Sequence, residues 1–179
     1  MKVAFGPALP VGTAGEREYY DVWLTRYIPA DEVLRRLQAA TPAELAPSET
    51  RYVHHKEPSL AAAATHALYK VSIDGEGVDS KNVEAALSAV ISEGRLEKEH
   101  KGKTKVFDLA RSLPEGARVR SEGPKVTVEV AVRMGQEGSL RPEVLLGEAL
   151  SRIGCHDADV TVTRADVLID DEDGLRRPI

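Results

Sequence analysis

The 179-residue chain holds one cysteine, Cys155, and that scarcity removes several chemistries at once. A lone thiol cannot close an internal disulfide, and one thiolate cannot hold an iron–sulfur cluster or a cysteine-rich zinc site. Long apolar runs are missing too. None approaches the ~20 residues needed to cross a bilayer, and the N-terminus lacks a basic segment followed by an apolar stretch, so no membrane partner is expected and the expected location is the cytoplasm. Aromatic residues make up only 4% of the chain, with one tryptophan and two phenylalanines, which leaves few rings on which nucleic-acid bases can stack. Nor is positive charge in excess. The formal net charge is −5 and the pI about 5.6, so any affinity for a polyanion has to be local. No P-loop, dinucleotide fingerprint or nucleophile elbow occurs.

What is present suffices for folding: 42% of residues are hydrophobic, enough for one ordinary domain or two small ones. Met1 to Phe5 reads as a strand, followed by a loop rich in Gly and Pro. Glu18 to Arg26 alternates as a second strand. Pro29 and Asp31 introduce a helix to about Ala40, whose Val33, Leu34, Leu37 and Ala40 should form a buried stripe; Thr50 to His55 is a further strand candidate. Pro58 marks a domain boundary. Beyond it come a strand over Leu68 to Ile73 and a turn at Asp74 to Gly77. A helix capped by Ser80 follows, burying Val83, Ala86, Leu87, Val90 and Ile91.

Leu96 to Leu109 is strand-like, with a bulge or turn at Gly102, and 117–120 with 125–134 form a hairpin in which Val126, Val128, Val130 and Val132 alternate. Pro142 opens a helix that ends at Gly154. Asp159 to Ile169 is the last strand, and residues 170–179 read as an acidic flexible tail. This order predicts an α+β protein of two ferredoxin-like, split βαβ units with antiparallel sheets: residues 1–57, truncated at the N-terminus, and residues 58–169.

Candidate sites are few. Lys101, Lys103 and Lys105 share one face of any strand, because side chains alternate, and with Lys98 and His100 they form either a phosphate-tracking surface or a solvated edge that deters pairing. Glu97 and Glu99 dilute that charge. Ser139 and Arg141 precede a helix and read either as an anion cradle or as an ordinary helix start. His54 and His55, adjacent in a strand, would face opposite ways, and Cys155 and His156 with Asp157 and Asp159 lack a second spaced cluster, so no metal and no cofactor are expected. Glu16, Glu18 and Asp21 are acid–base candidates with no pocket to share, and no catalytic residue is assigned.

Three stretches carry a resemblance: Val3 to Gly12 (VAFGPALPVG) with Glu18 to Leu24 (EYYDVWL); Lys101 to Lys105 (KGKTK) leading into Asp108 and Leu109; and Gly138 to Glu143 (GSLRPE). Together they resemble the radical SAM-linked protein family, the domain of unknown function DUF2344, over nearly the whole chain to about Ile169. The resemblance implies a further strand and helix ahead of the segment that starts here at Met1. Their lack would leave a sheet edge bare, and a bare edge invites a homodimer. It further implies an accessory protein that partners a radical SAM enzyme. Two alternatives stand beside it: an RNA-binding module using the lysine-rich strand, and an enzyme completed by the N-terminal segment.

Overall fold

The computed structural model describes residues 2–100, 102–135 and 139–179. They build a mixed α+β structure, with mainly antiparallel sheets, in two compact units: residues 2–7 and 19–63 with Ile179, and residues 8–18 and 64–178.

In the first unit β1 (Lys2–Phe5) pairs antiparallel with β3 (Tyr20–Trp23); β2 (Ala14–Gly15), between them in sequence, belongs to the second unit. The helix α1 (Ala30–Ala40) forms as expected after Pro29, with Asp31 and Glu32 in its positive first turn. Its stripe is not enclosed, however. Val33, Leu34 and Leu37 are half-buried and Ala40 is exposed, because two four-residue strands offer too little apolar surface to cover an 11-residue helix. Residues 50–54 join no ladder and His55 enters a turn, correcting the expected strand. Side chains hold them instead: the Thr50 hydroxyl donates to the Ala30 carbonyl at 2.8 Å, and the Tyr52 hydroxyl to that of Ile28 at 2.7 Å. A short helix α2 (Leu60–Ala63) follows, its Leu60 N–H donating to Asp21 at 2.8 Å.

The second unit is built on β4 (His66–Asp74), β7 (Ala117–Glu122), β8 (Lys125–Arg133), β9 (Asp159–Asp171) and β10 (Gly174–Arg176), in the order β10-β9-β4-β8-β7. All of these neighbours are antiparallel, and β2 adds to β9 in parallel. Strict alternation puts Tyr69, Val71 and Ile73 of β4 and Val126, Val128, Val130 and Val132 of β8 on one face. There they meet Val83, Leu87 and Val90 of α3 (Ser80–Ser92), Leu109 of the short α4 (Leu109–Ser112) and Leu145, Leu146 and Leu150 of α5 (Pro142–Arg152) in a single apolar cluster. Each such side chain contributes about 1.5–3 kcal/mol by leaving water, which makes this cluster the dominant stabilising feature of the unit.

Two helix starts differ from expectation. Asp79, not Ser80, caps α3, its carboxylate accepting from the N–H groups of Lys81 and Asn82 at 3.0 Å each. At α5 the cap residue is Arg141, with no side-chain bond, so Ser139 does not cap the helix. The acidic stretch at Asp170 also departs from the expected tail: it completes β9 and turns back into β10. Finally, β9 carries an irregularity. Leu68 of β4 pairs with Asp166 and Tyr69 with Arg164, leaving Ala165 as an extra residue. This bulge sends Arg164 to the face shared with Tyr69 and the helices, and Asp166 to the opposite face.

Candidate functional site

The lysine-rich stretch is a hairpin rather than one strand. β5 (Arg95–His100) and β6 (Lys103–Asp108) pair antiparallel across a turn in which Gly102 has φ +72°, a conformation that glycine adopts without steric cost. Registry sorts the charges. Leu96 faces Phe107 and Lys98 faces Lys105, so these four share a face that begins in the core and runs outward as positive charge. Glu97 and Glu99 pair with Val106 and Thr104 on the other face, so they do not dilute the lysines as the linear sequence suggested. Lys105 places its ammonium 5.0 Å from the centre of the Phe107 ring, a cation–π contact that occupies the hairpin's aromatic face. Lys101 lies outside the described residues, as does the side chain of Lys103.

Sequence reasoning missed a second constellation. Arg164 is 1% exposed, and its guanidinium grips Glu18 with two bonds, Nε to Oε1 at 2.9 Å and Nη2 to Oε2, while Nη1 donates to the Ala8 carbonyl at 3.1 Å. Beside it stands Tyr69, whose phenol is pushed above its ordinary range chiefly by burial, with Glu143 and Glu18 adding to the shift and Arg164 opposing it. Residues from three parts of the chain thus converge on one buried cation. The neighbouring residues extend the pattern: Glu16 pairs with Lys70 at 3.4 Å and Arg17 with buried Asp166 at 3.6 Å. A Cβ at Gly15 would lie 2.8 Å from a Glu18 carboxylate oxygen, so a side chain there would have to displace the carboxylate that Arg164 grips. The strap 8–18 is therefore fastened to β9 by backbone pairing and by charges matched on both faces of the sheet. A signal for it existed in the sequence. Along β9 the apolar positions shift from Val160 and Val162 to Val167 and Ile169, even to odd, and an arginine sits in the apolar phase at the shift.

The other candidates stay apart from both places. Ser139 is half-buried and Arg141 exposed, before α5, and neither lines the depression floored by Leu68, Ala131 and Leu168 on the sheet's other face. His54 and His55 are not in a strand, and their rings lie 4.4 Å apart rather than facing away from each other. Among the described residues no three His, Cys, Asp or Glu side chains gather as metal ligands. Cys155 is buried in the core just after α5. No described helix is long and apolar enough to cross a membrane.

No curated protein and no solved structure matches the chain. A family model does, over residues 1–142, and its description is an uncharacterised protein conserved in bacteria. That match takes in the strap and Glu18, the lysine hairpin and the start of α5, leaving Arg164 beyond its end. The chain belongs to the DUF2344 family.

Proposed function

We propose that the protein is a binding module that contacts RNA, or a comparable polyanion, through the basic face of the β5–β6 hairpin. The observation that carries this reading is the direct opposition of Lys98 and Lys105. Like charges set across a ladder repel, and a bound phosphate between them turns that repulsion into attraction. Lys101 and Lys103 belong to the same segment and add to its charge. With Phe107 engaged by Lys105, contact runs through the phosphate backbone rather than through stacked bases. Ser139 and Arg141 are not needed for this surface.

The strand order β9-β4-β8-β7, with α3 and α5 both packed into one core, supports reading the second unit as a ferredoxin-like split βαβ layer, a scaffold on which RNA-binding modules are built. Partnership with a radical SAM enzyme follows from the resemblance alone, and an accessory role for such an enzyme is compatible with polyanion contact. The test is retention of a labelled single-stranded RNA over a salt series. Wild-type protein should show salt-sensitive retention that falls at least tenfold in Lys98→Glu/Lys105→Glu, while Glu97→Gln/Glu99→Gln binds as well or better. Equal retention by the wild type and the lysine variant refutes the reading. Recovery of a cluster-containing enzyme with full-length bait tests the accessory role separately.

A further inference from the structure

We propose that His66 is an acid-sensitive latch at one end of the main sheet, holding the hairpin of β9 and β10 in place when neutral and loosening it when protonated. His66, the first residue of β4, is 1% exposed. Its Nδ1 lies 2.9 Å from the Thr65 hydroxyl, whereas its Nε2 is buried with no hydrogen-bond partner among the described residues. A buried polar atom left unbonded is costly, and far more so once charged.

Thr65 is the knot at which the strand ends meet. Its N–H donates to the Leu168 carbonyl at 3.0 Å, its carbonyl accepts from Met134 at 2.8 Å, and its hydroxyl accepts the Asp170 N–H at 2.8 Å. Pairing of β4 with β9 ends at His66 and Leu168, so the chain beyond is held by β10, by Thr65 and by the bond from Arg177 to Asp166 at 2.8 Å. Beyond Leu168 the β9 end therefore depends on these ties rather than on the β4 ladder.

Proton uptake ends in the same state from either tautomer. If Thr65 donates to Nδ1, the new proton forces the hydroxyl to turn away; if Nδ1 already donates, the proton goes to Nε2. Both routes give an imidazolium with an Nε2–H that has no acceptor. The charged groups around it are Asp170 on β9 and Glu115 in the loop before β7, which favour protonation, and Arg133 on β8, which opposes it. Burial outweighs them and holds His66 below the usual histidine range. Relief comes from water admitted by lifting of the hairpin.

The test is hydrogen exchange read by NMR on the full chain, with the Asp170 amide as reporter of the Thr65 tie. Protection, corrected for intrinsic exchange, should fall about tenfold between pH 7 and 5 in the wild type, the size of effect that one unit of differential proton affinity produces. His66→Asn keeps a hydrogen-bonding group near Nδ1 and cannot titrate; His66→Phe keeps the ring. In both, protection should be flat over that range. Constant protection in the wild type, or an equal fall in whichever variant folds, overturns the latch.

Discussion

Replacing Glu18 with alanine isolates the bond that fastens the strap. The change leaves Arg164, 2% exposed at its side chain, without the Glu18 carboxylate it grips, beside the Ala8 carbonyl and the Tyr69 phenol. Breaking a fully buried pair costs about 3–5 kcal/mol, mostly from the charge left behind. The Glu18 side chain is 41% exposed, so water shares the load and the expected loss falls to about 2 kcal/mol. With a urea slope of about 2 kcal/mol per molar, the midpoint should drop by about 1 M. Far-UV circular dichroism reports the unfolding of the main sheet. Glu18→Gln, which keeps an acceptor and loses the charge, should fall between wild type and alanine. Arg164→Met combined with Glu18→Ala should lose less than the sum of the two single changes, since the double variant removes the cation as well as its partner. As a control, Glu148→Ala removes an exposed pair with Arg152 one helical turn away and should cost under about 0.5 kcal/mol. If Glu18→Ala moved the midpoint no further than that control, the strap would not be held by this ion pair.

Two other perturbations follow from single contacts. Asp79→Ala should destabilise α3 by about 1 kcal/mol while Ser80→Ala changes stability by a few tenths, measured by thermal unfolding; the reverse order would return the cap to Ser80. The raised phenol of Tyr69 contributes stability that is complete below the unfolded value near pH 10 and is lost as pH climbs through the higher folded value. Tyr69→Phe should therefore narrow its stability gap to wild type between pH 9 and 11, and a gap that stays constant would show that the phenol does not titrate differently on folding.

Local pattern made much of the second unit legible. The alternating valines of β8 and the helical spacing of Val83, Leu87 and Val90 each identify one buried face, and both lie in the core. Where the pattern misleads, the pairing that decides the outcome is not visible in composition or linear spacing. Thr50 to His55 has the composition of a strand, but among the described residues no strand pairs with it. Ser80 is a good capping residue that lost to Asp79 one position earlier. At the hairpin, linear proximity mixed Glu97 and Glu99 with the lysines, whereas pairing geometry separates them. The hold of Glu18 on Arg164 spans 146 positions, and nothing within reading distance of either residue names the other.

One unpaired alanine decides which surface each later residue of β9 serves. Side-chain orientation in a strand depends on whether a position counts odd or even from its anchor, and Ala165 resets that count. Were Ala165 paired in the ladder like its neighbours, Asp166 would turn inward against the helices and Val167 outward, together with everything as far as Asp171. Loss of Ala165 itself would only straighten the strand, leaving Asp166 opposite Leu68 and Val167 opposite Ala67, whereas a residue lost from the regular ladder beyond it would exchange one sheet surface for the other.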